Sequence, residues 1–285
     1  MGLKDILVHV ESGTTGERRL QYAIELARQH EAHLSGLFVI EPLHAGAYFT
    51  PPAASYVDVA ALEAIDQKHR EAEMVVASAA ETKFRELCRR AAIGSEWHVV
   101  VGDPVALTTI NAQCADLTIL GQIDPDHRPS ESAERLPEQT AISSGRPVLV
   151  LPYAGEFSTV GRHVLLGWTH ARQSARAAND ALPILKRAEK VTVLIVNPED
   201  TEDEQEVPAL DITQHLARHG VRAEAAYTVA KDVDIANILL SRASDLDADM
   251  LVMGCYGHSR LRELVLGGTT RSILREMTVP VLMSH

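Results

Sequence analysis

Residues 115–121 read ADLTILG and residues 248–254 read ADMLVMG. The same offset carries Pro147 of GRPVLV (145–150) onto Pro280 of TVPVLM (278–283). Nearer the start, DILVHV at 5–10 matches HVLLGW at 163–168 at a larger offset. One unit is therefore written twice, and a repeat of this kind must be settled before anything else because it decides the fold. The change of offset puts extra residues inside the first copy. They fall in the Pro-rich stretch 41–57 and in a longer helix after it.

Working outward from these motifs, short β-branched runs alternate with helical stretches. The first copy should hold strands near 5–10, 33–40, 97–101, 117–120 and 148–151. The second should hold them near 164–168, 190–196, 223–229, 250–253 and 279–283. Between them, as in 17–28 and 175–186, apolar residues recur every three or four positions, the period of a helix. Continuously apolar strands alternating with helices predict a parallel, doubly wound α/β sheet with both faces covered. Residues 153–162 (YAGEFSTVGR) are short, polar and Gly-containing and read as a linker. The expected domains are 1–152 and 163–285. The last strand of each copy is an apolar edge, an aggregation hazard if left open. The two are expected to cover each other antiparallel, as an intramolecular pseudo-dimer with approximate two-fold symmetry.

Bulk properties agree. A chain of 285 residues is comfortable for two domains of about 140. Hydrophobic residues make up 46% and aromatics only 4%, so Ala, Val, Leu and Ile must build the cores. The formal charge is −12, and no run of Lys and Arg is dense enough for a polyanion, so nucleic acid is not an expected partner. Cys88, Cys114 and Cys255 are odd in number and widely spaced, which suggests reduced thiols rather than disulfides or a zinc site. The N-terminal apolar run is too short for a signal segment, and no stretch approaches a membrane span. A soluble, cytoplasmic protein is expected.

The second copy holds the stretch that points to chemistry. Gly254-Cys255-Tyr256-Gly257 follows its fourth strand. Nine residues later come Gly267-Gly268-Thr269-Thr270, where a helical pattern begins. Glycine permits close approach of a ligand to the backbone. A helix N-terminus presents unpaired N–H groups and a positive dipole end, and both suit phosphate. Thr269 and Thr270 can cap the helix or offer hydroxyls. In an open parallel sheet ligands bind beyond the carboxyl ends of the strands, where this loop lies. The alternative is that these glycines merely end a strand and turn the chain.

The spacing Gly-x2-Gly-x9-Gly, after ADMLVMG and before a helix leading to VPVLM, resembles the nucleotide-binding signature of the universal stress proteins. The repeat resembles their tandem-domain members. That resemblance implies two flavodoxin-like (adenine nucleotide alpha hydrolase-like) domains, each a five-stranded parallel sheet in the order 3-2-1-4-5 with helices on both faces. It also implies ATP or another adenine nucleotide, with or without Mg2+. By position, Gly254, Gly257 and Gly267 would line ribose and phosphates, and Val196 would place its backbone against adenine. Gly268 stands where the family has Ser or Thr, and Thr270 where a hydroxyl often follows. ATP-binding members usually carry Asp at the end of the first strand; here Thr169 stands in the second copy and Glu11 in the first.

The first copy departs further. After Gly121 it reads QIDPDHRPSESAERLPEQT, without a second glycine. Asp124, Asp126, Glu131 and Glu134 put negative charge where phosphate would sit, and like charges repel. It reads as a degenerate partner domain.

Other chemistries are less favoured. Gly257-His258-Ser259 lacks the second glycine of a nucleophile elbow. His215 and His219 are four apart on a predicted helix but have no evident third metal ligand. Asp124, Asp126 and His127, and the acidic run 201–206, read as exposed loops. No Walker A pattern or G-x-G-x-x-G is present. Two functions remain. One is a stress-response protein binding adenine nucleotide through its C-terminal domain as a sensor or switch, with at most slow ATP hydrolysis. The other is a protein-interaction module whose glycine loop is vestigial. A homodimer and a client protein are further possible partners. The segment 41–57, with Tyr48, Phe49 and Tyr56, reads either as a flap that packs on a neighbour or as a plain surface loop.

Overall fold

The computed structural model describes residues 2–43, 59–126, 130–197, 208–229, 233–256 and 268–285. Gly257, Gly267, His258, Ser259, His127, the acidic run 201–206 and residues 44–57 of the Pro-rich segment lie outside them. The strands of the first half are β1 (Asp5–His9), β2 (His33–Ile40), β3 (Ser95–Val101), β4 (Leu117–Gly121) and β5 (Val148–Leu151). Those of the second are β6 (His163–Gly167), β7 (Lys190–Val196), β8 (Ala223–Thr228), β9 (Met250–Gly254) and β10 (Val281–Ser284). All ten form one sheet in the order β3-β2-β1-β4-β5-β10-β9-β6-β7-β8. Each half thus has the order 3-2-1-4-5, with every internal pairing parallel. The halves do not remain separate sheets. β5 and β10 pair antiparallel, as their apolar character led us to expect, and fuse the two.

The repeated Asp of ADLTILG and ADMLVMG has a structural reason. Asp116 accepts the backbone N–H groups of Lys4 (2.7 Å) and Asp5 (3.1 Å), and Asp249 accepts those of Arg162 and His163 (both 3.0 Å). In each half this carboxylate fixes where the first strand begins relative to the fourth, and so sets the register of the central pair.

The helices are α1 (Thr14–His30), α2 (Val59–Arg90), α3 (Pro104–Ala112), α4 (Glu131–Glu134) and α5 (Leu136–Ser143), then α6 (Arg172–Asp180), α7 (Leu182–Leu185), α8 (Pro208–Arg218), α9 (Ile235–Asp245) and α10 (Gly268–Glu276). One apolar core joins Leu26 of α1, Phe84 of α2, Ala177 of α6 and Leu216 of α8 to one face of the sheet. On the other face Leu136 of α5, Leu239 of α9 and Ile273 of α10 share a second core. Both cores run across the seam between the halves. Residues 175–186, expected as one helix, divide between α6 and α7. Pro183 stands in the first turn of α7, where its missing N–H costs nothing, whereas inside a longer helix it would break the ladder. The surplus of the first half includes α2, with 32 residues against 11 in α8.

The connection 153–162 is held down. Arg18 of α1 donates to the carbonyls of Gly155 (2.5 Å) and Tyr153 (3.1 Å), and Phe157 meets the Tyr22 ring edge-on at 6.4 Å. Among the described residues no helix is long and apolar enough to cross a membrane.

Candidate functional site

The carboxyl ends of β6, β7 and β9 converge in the second half. β6 runs into Trp168 and Thr169, and α6 starts three residues later. Thr169 is exposed; its backbone N–H donates to Ser174 Oγ (3.3 Å), and its hydroxyl lies 2.9 Å from the same oxygen. This pair closes the turn from strand to helix, and it engages both the N–H and the hydroxyl of Thr169. β7 ends at half-buried Val196, which packs against the same core as Tyr256. The next residue, Asn197, has φ +51 and donates its N–H to Thr228 O.

β9 ends at Gly254, and a side chain here has no room. An added Cβ would lie 2.5 Å from Gln173 C and 2.6 Å from Ser174 N. The backbone that approaches this glycine is the first turn of α6, a packing role the sequence did not reveal. Tyr256 follows with φ +55. Its N–H reaches toward Thr270 Oγ1 and its carbonyl accepts from Gln173 Nε2, both long contacts of 3.5 Å. Thr270 is buried, Thr269 half-buried, and Gly268 opens α10 with nothing among the described residues within 4 Å of an added Cβ. The first N–H groups of α10 have no partner within the helix, as at any helix start. Such groups suit a phosphate.

Thr169, Gly254 and Thr270 therefore belong to one assembly, joined through Gln173, Ser174 and Tyr256, and Thr269 precedes Thr270 in the first turn of α10. Those three connecting residues escaped the sequence reading. Aligning the halves by the 5–10 and 163–168 match sets Ser174 against Gly16, which is the one signal that could have exposed them. Cys255 lies beneath, its thiol pushed up to about 12 by burial. Its carbonyl accepts from His285 Nδ1 at 3.1 Å.

Around Gly121, the counterpart of Gly254, the first half carries a charged cluster. Arg19 of α1, only 2% exposed, donates to His9 O (3.0 Å) and to Glu11 Oε2 (2.8 Å). His9 Nδ1 lies 3.1 Å from the other Glu11 oxygen. Burial alone would raise the Glu11 carboxyl, but the Arg19 guanidinium and His9 overcome it and hold it well below the usual range. The guanidinium lies against Gly121, where an added Cβ would come within 2.8 Å of its carbon. Arg19 occupies the position of Ala177 in the second half. The sequence anticipated acidic repulsion here; the structure adds a buried cation already neutralised from within. Of the acidic residues, Asp124 accepts the N–H of Asp126 in a local turn and Glu134 is exposed. His215 and His219 stand with rings 4.7 Å apart, and among the described residues no three His, Cys, Asp or Glu group to hold a metal.

Three comparisons bear on this arrangement. The family model described as the universal stress protein family matches residues 2–131 and again 161–285. A universal stress protein from Archaeoglobus fulgidus DSM 4304 superposes with TM-score 0.70 at 18% identity, covering 98% of this chain and 95% of that one. A functionally unknown protein from Pseudomonas aeruginosa PAO1 gives TM-score 0.62 at 14% identity over 99% and 92%. These two likenesses concern the fold. The universal stress protein Slr1230 of Synechocystis sp. is 56% identical over 34 residues, which is 12% of either chain.

Proposed function

The chain belongs to the universal stress protein family, and from that premise we propose that its C-terminal half, residues 163–285, binds ATP or another adenine nucleotide as a stress-response sensor or switch. The N-terminal half, residues 1–152, is a partner domain that binds none, and 153–162 joins them. The observation that carries this reading is the start of α10, where no described atom lies within 4 Å of a Cβ added at Gly268. In the N-terminal half Gly121, the counterpart of Gly254, lies against the buried Arg19, which is paired with Glu11. Phosphates would sit on the backbone N–H groups of Gly268, Thr269 and Thr270, with Gly257 and Gly267 contributed by the signature. Adenine would lie near Thr169 and the backbone of Val196. Mg2+ would accompany the phosphates. Among the described residues of the site nothing resembles a general base positioned for rapid hydrolysis, and slow turnover at most is proposed. We further propose a cytoplasmic protein that works as a homodimer or on a client.

One observation favours the second reading, an interaction module with a vestigial loop: α6 already lies against Gly254, and Thr169 is bonded to Ser174. Mass spectrometry of the small molecules released when the purified protein is denatured separates the two. Adenine nucleotide near one equivalent per chain supports the switch. Protein that carries none, and takes up none from millimolar ATP, supports the module.

A further inference from the structure

Glu138 lies in the first turn of α5, on the N-terminal half, and its side chain is only 13% exposed. Its Oε1 stands 3.3 Å from Nη2 of Arg271, across the seam. Arg271 follows Thr270 directly in the first turn of α10. The same carboxylate faces the buried phenol of Tyr256, whose pKa is raised by burial and then by Glu138, although the two make no hydrogen bond of ordinary geometry. One carboxylate of the N-terminal half thus acts on both Tyr256, just after β9, and Arg271, in the first turn of α10.

The charges oppose anion binding. A helix start attracts anions, and a guanidinium in its first turn would strengthen that attraction. Glu138 engages this guanidinium. Being mostly buried, it is also poorly screened by solvent, so it repels an arriving phosphate more than a surface carboxylate would. The offset that carries Gly121 onto Gly254 carries Glu138 onto Arg271. Two identical halves would bring like charges together at this spot; divergence of the copies made an attracting pair.

We infer that Glu138 is an internal brake on the C-terminal site: the N-terminal half supplies a carboxylate that holds Arg271 and lowers affinity for the ligand's phosphates. This rests on the nucleotide reading above and adds its regulation. Phosphate competes with Glu138 for Arg271, so binding loosens a contact between the halves. By linkage, whatever loosens that contact raises affinity by the same factor.

The test is calorimetric titration of ATP into the full-length wild type, E138Q, E138D, R271Q and E138Q/R271Q. E138Q should bind roughly three- to tenfold tighter, the scale of one nearby charge in a partly screened site. E138D, which keeps the charge, should return toward wild type. R271Q, at a half-exposed side chain, should bind about threefold or more weakly, and the double variant should lose the gain of E138Q. Wild type and E138Q binding ATP equally, or unchanged affinity in R271Q, would overturn the brake alone. Absence of binding in wild type and E138Q alike would overturn both the brake and the nucleotide reading. Binding by E138Q with none by wild type would support both.

Discussion

Leu149 pairs with Leu282 across the seam between the halves, and the offset that carries Gly121 onto Gly254 carries Leu149 onto Leu282. The approximate two-fold axis therefore passes through this pair. On either side Val150 faces Val281 and Val148 faces Met283. Directly opposed residues of an antiparallel pair point to the same face, and both leucines lie in one core while their neighbours lie in the other.

The seam should consequently behave as core. Both leucines are at most 1% exposed. L149A and L282A should each destabilise the protein by about 2–5 kcal/mol in urea unfolding. A double-mutant cycle should show coupling of roughly 0.5 kcal/mol or more. Strict additivity would mean the leucines do not share a contact.

Gly254 and Gly268 should part company in stability. G254A forces a methyl against α6 backbone at 2.5 Å and should cost several kcal/mol, or about 10 °C in melting temperature, because backbone cannot move aside as a side chain can. G268A meets nothing among the described residues within 4 Å and should melt within a degree or two of wild type. Equal melting of the two variants would show that α6 does not rest on Gly254.

The Arg19–Glu11–His9 cluster makes a pH prediction. The folded Glu11 carboxyl is depressed, so its contribution to stability is present above the unfolded value of about 4.3 and is lost as pH falls through the lower folded value. At pH 7, E11Q should cost about 2 kcal/mol. That is less than the roughly 3–5 kcal/mol for breaking a fully buried pair, because the Glu11 side chain is 52% exposed. The difference between E11Q and wild type should shrink steadily below about pH 4. A difference that persisted unchanged into acid would mean Glu11 is not the charged partner of Arg19.

Thiol reactivity should rank by burial. Cys114 is exposed, whereas Cys88 and Cys255 are buried and their thiols are shifted upward. The thiolate is the reactive form, so the native protein should label rapidly at Cys114 and at the other two only on unfolding. Rapid labelling of Cys255 would place it at an open surface.

Much of the fold was legible because its signals are local. The motif ADxxxxG recurs with its strand intact, and the Asp that repeats is the residue that sets β1 against β4 and β6 against β9. Strand pattern survives in the inner strands, which are buried on both faces and therefore nearly all apolar. The α6–α7 break was missed because helical periodicity continues through Pro183. The site was legible only in part. Glycine spacing marks where a ligand could approach, but what lies against a glycine is a tertiary fact. Gly121 and Gly254 occupy the same place in sequence, yet one meets a guanidinium and the other a helix backbone. Arg19 read as one more helix residue, and Glu138 as one more acidic residue in a polar stretch. Their partners lie on other elements, and no periodicity announces them.

The central claim is that one half binds an adenine nucleotide and the other cannot. Calorimetric titration of ATP into the full chain, with wild type beside G268V, tests it most directly. Among the described residues no atom lies within 4 Å of a Cβ added at Gly268, so if G268V melts like wild type, a loss of binding reports on the ligand rather than the fold. The account predicts one site per chain and at least a tenfold loss in G268V, as expected when phosphate is kept from backbone N–H groups worth roughly 1.5–3 kcal/mol each. Two sites per chain, equal affinity in G268V, or no heat at millimolar ATP would contradict it.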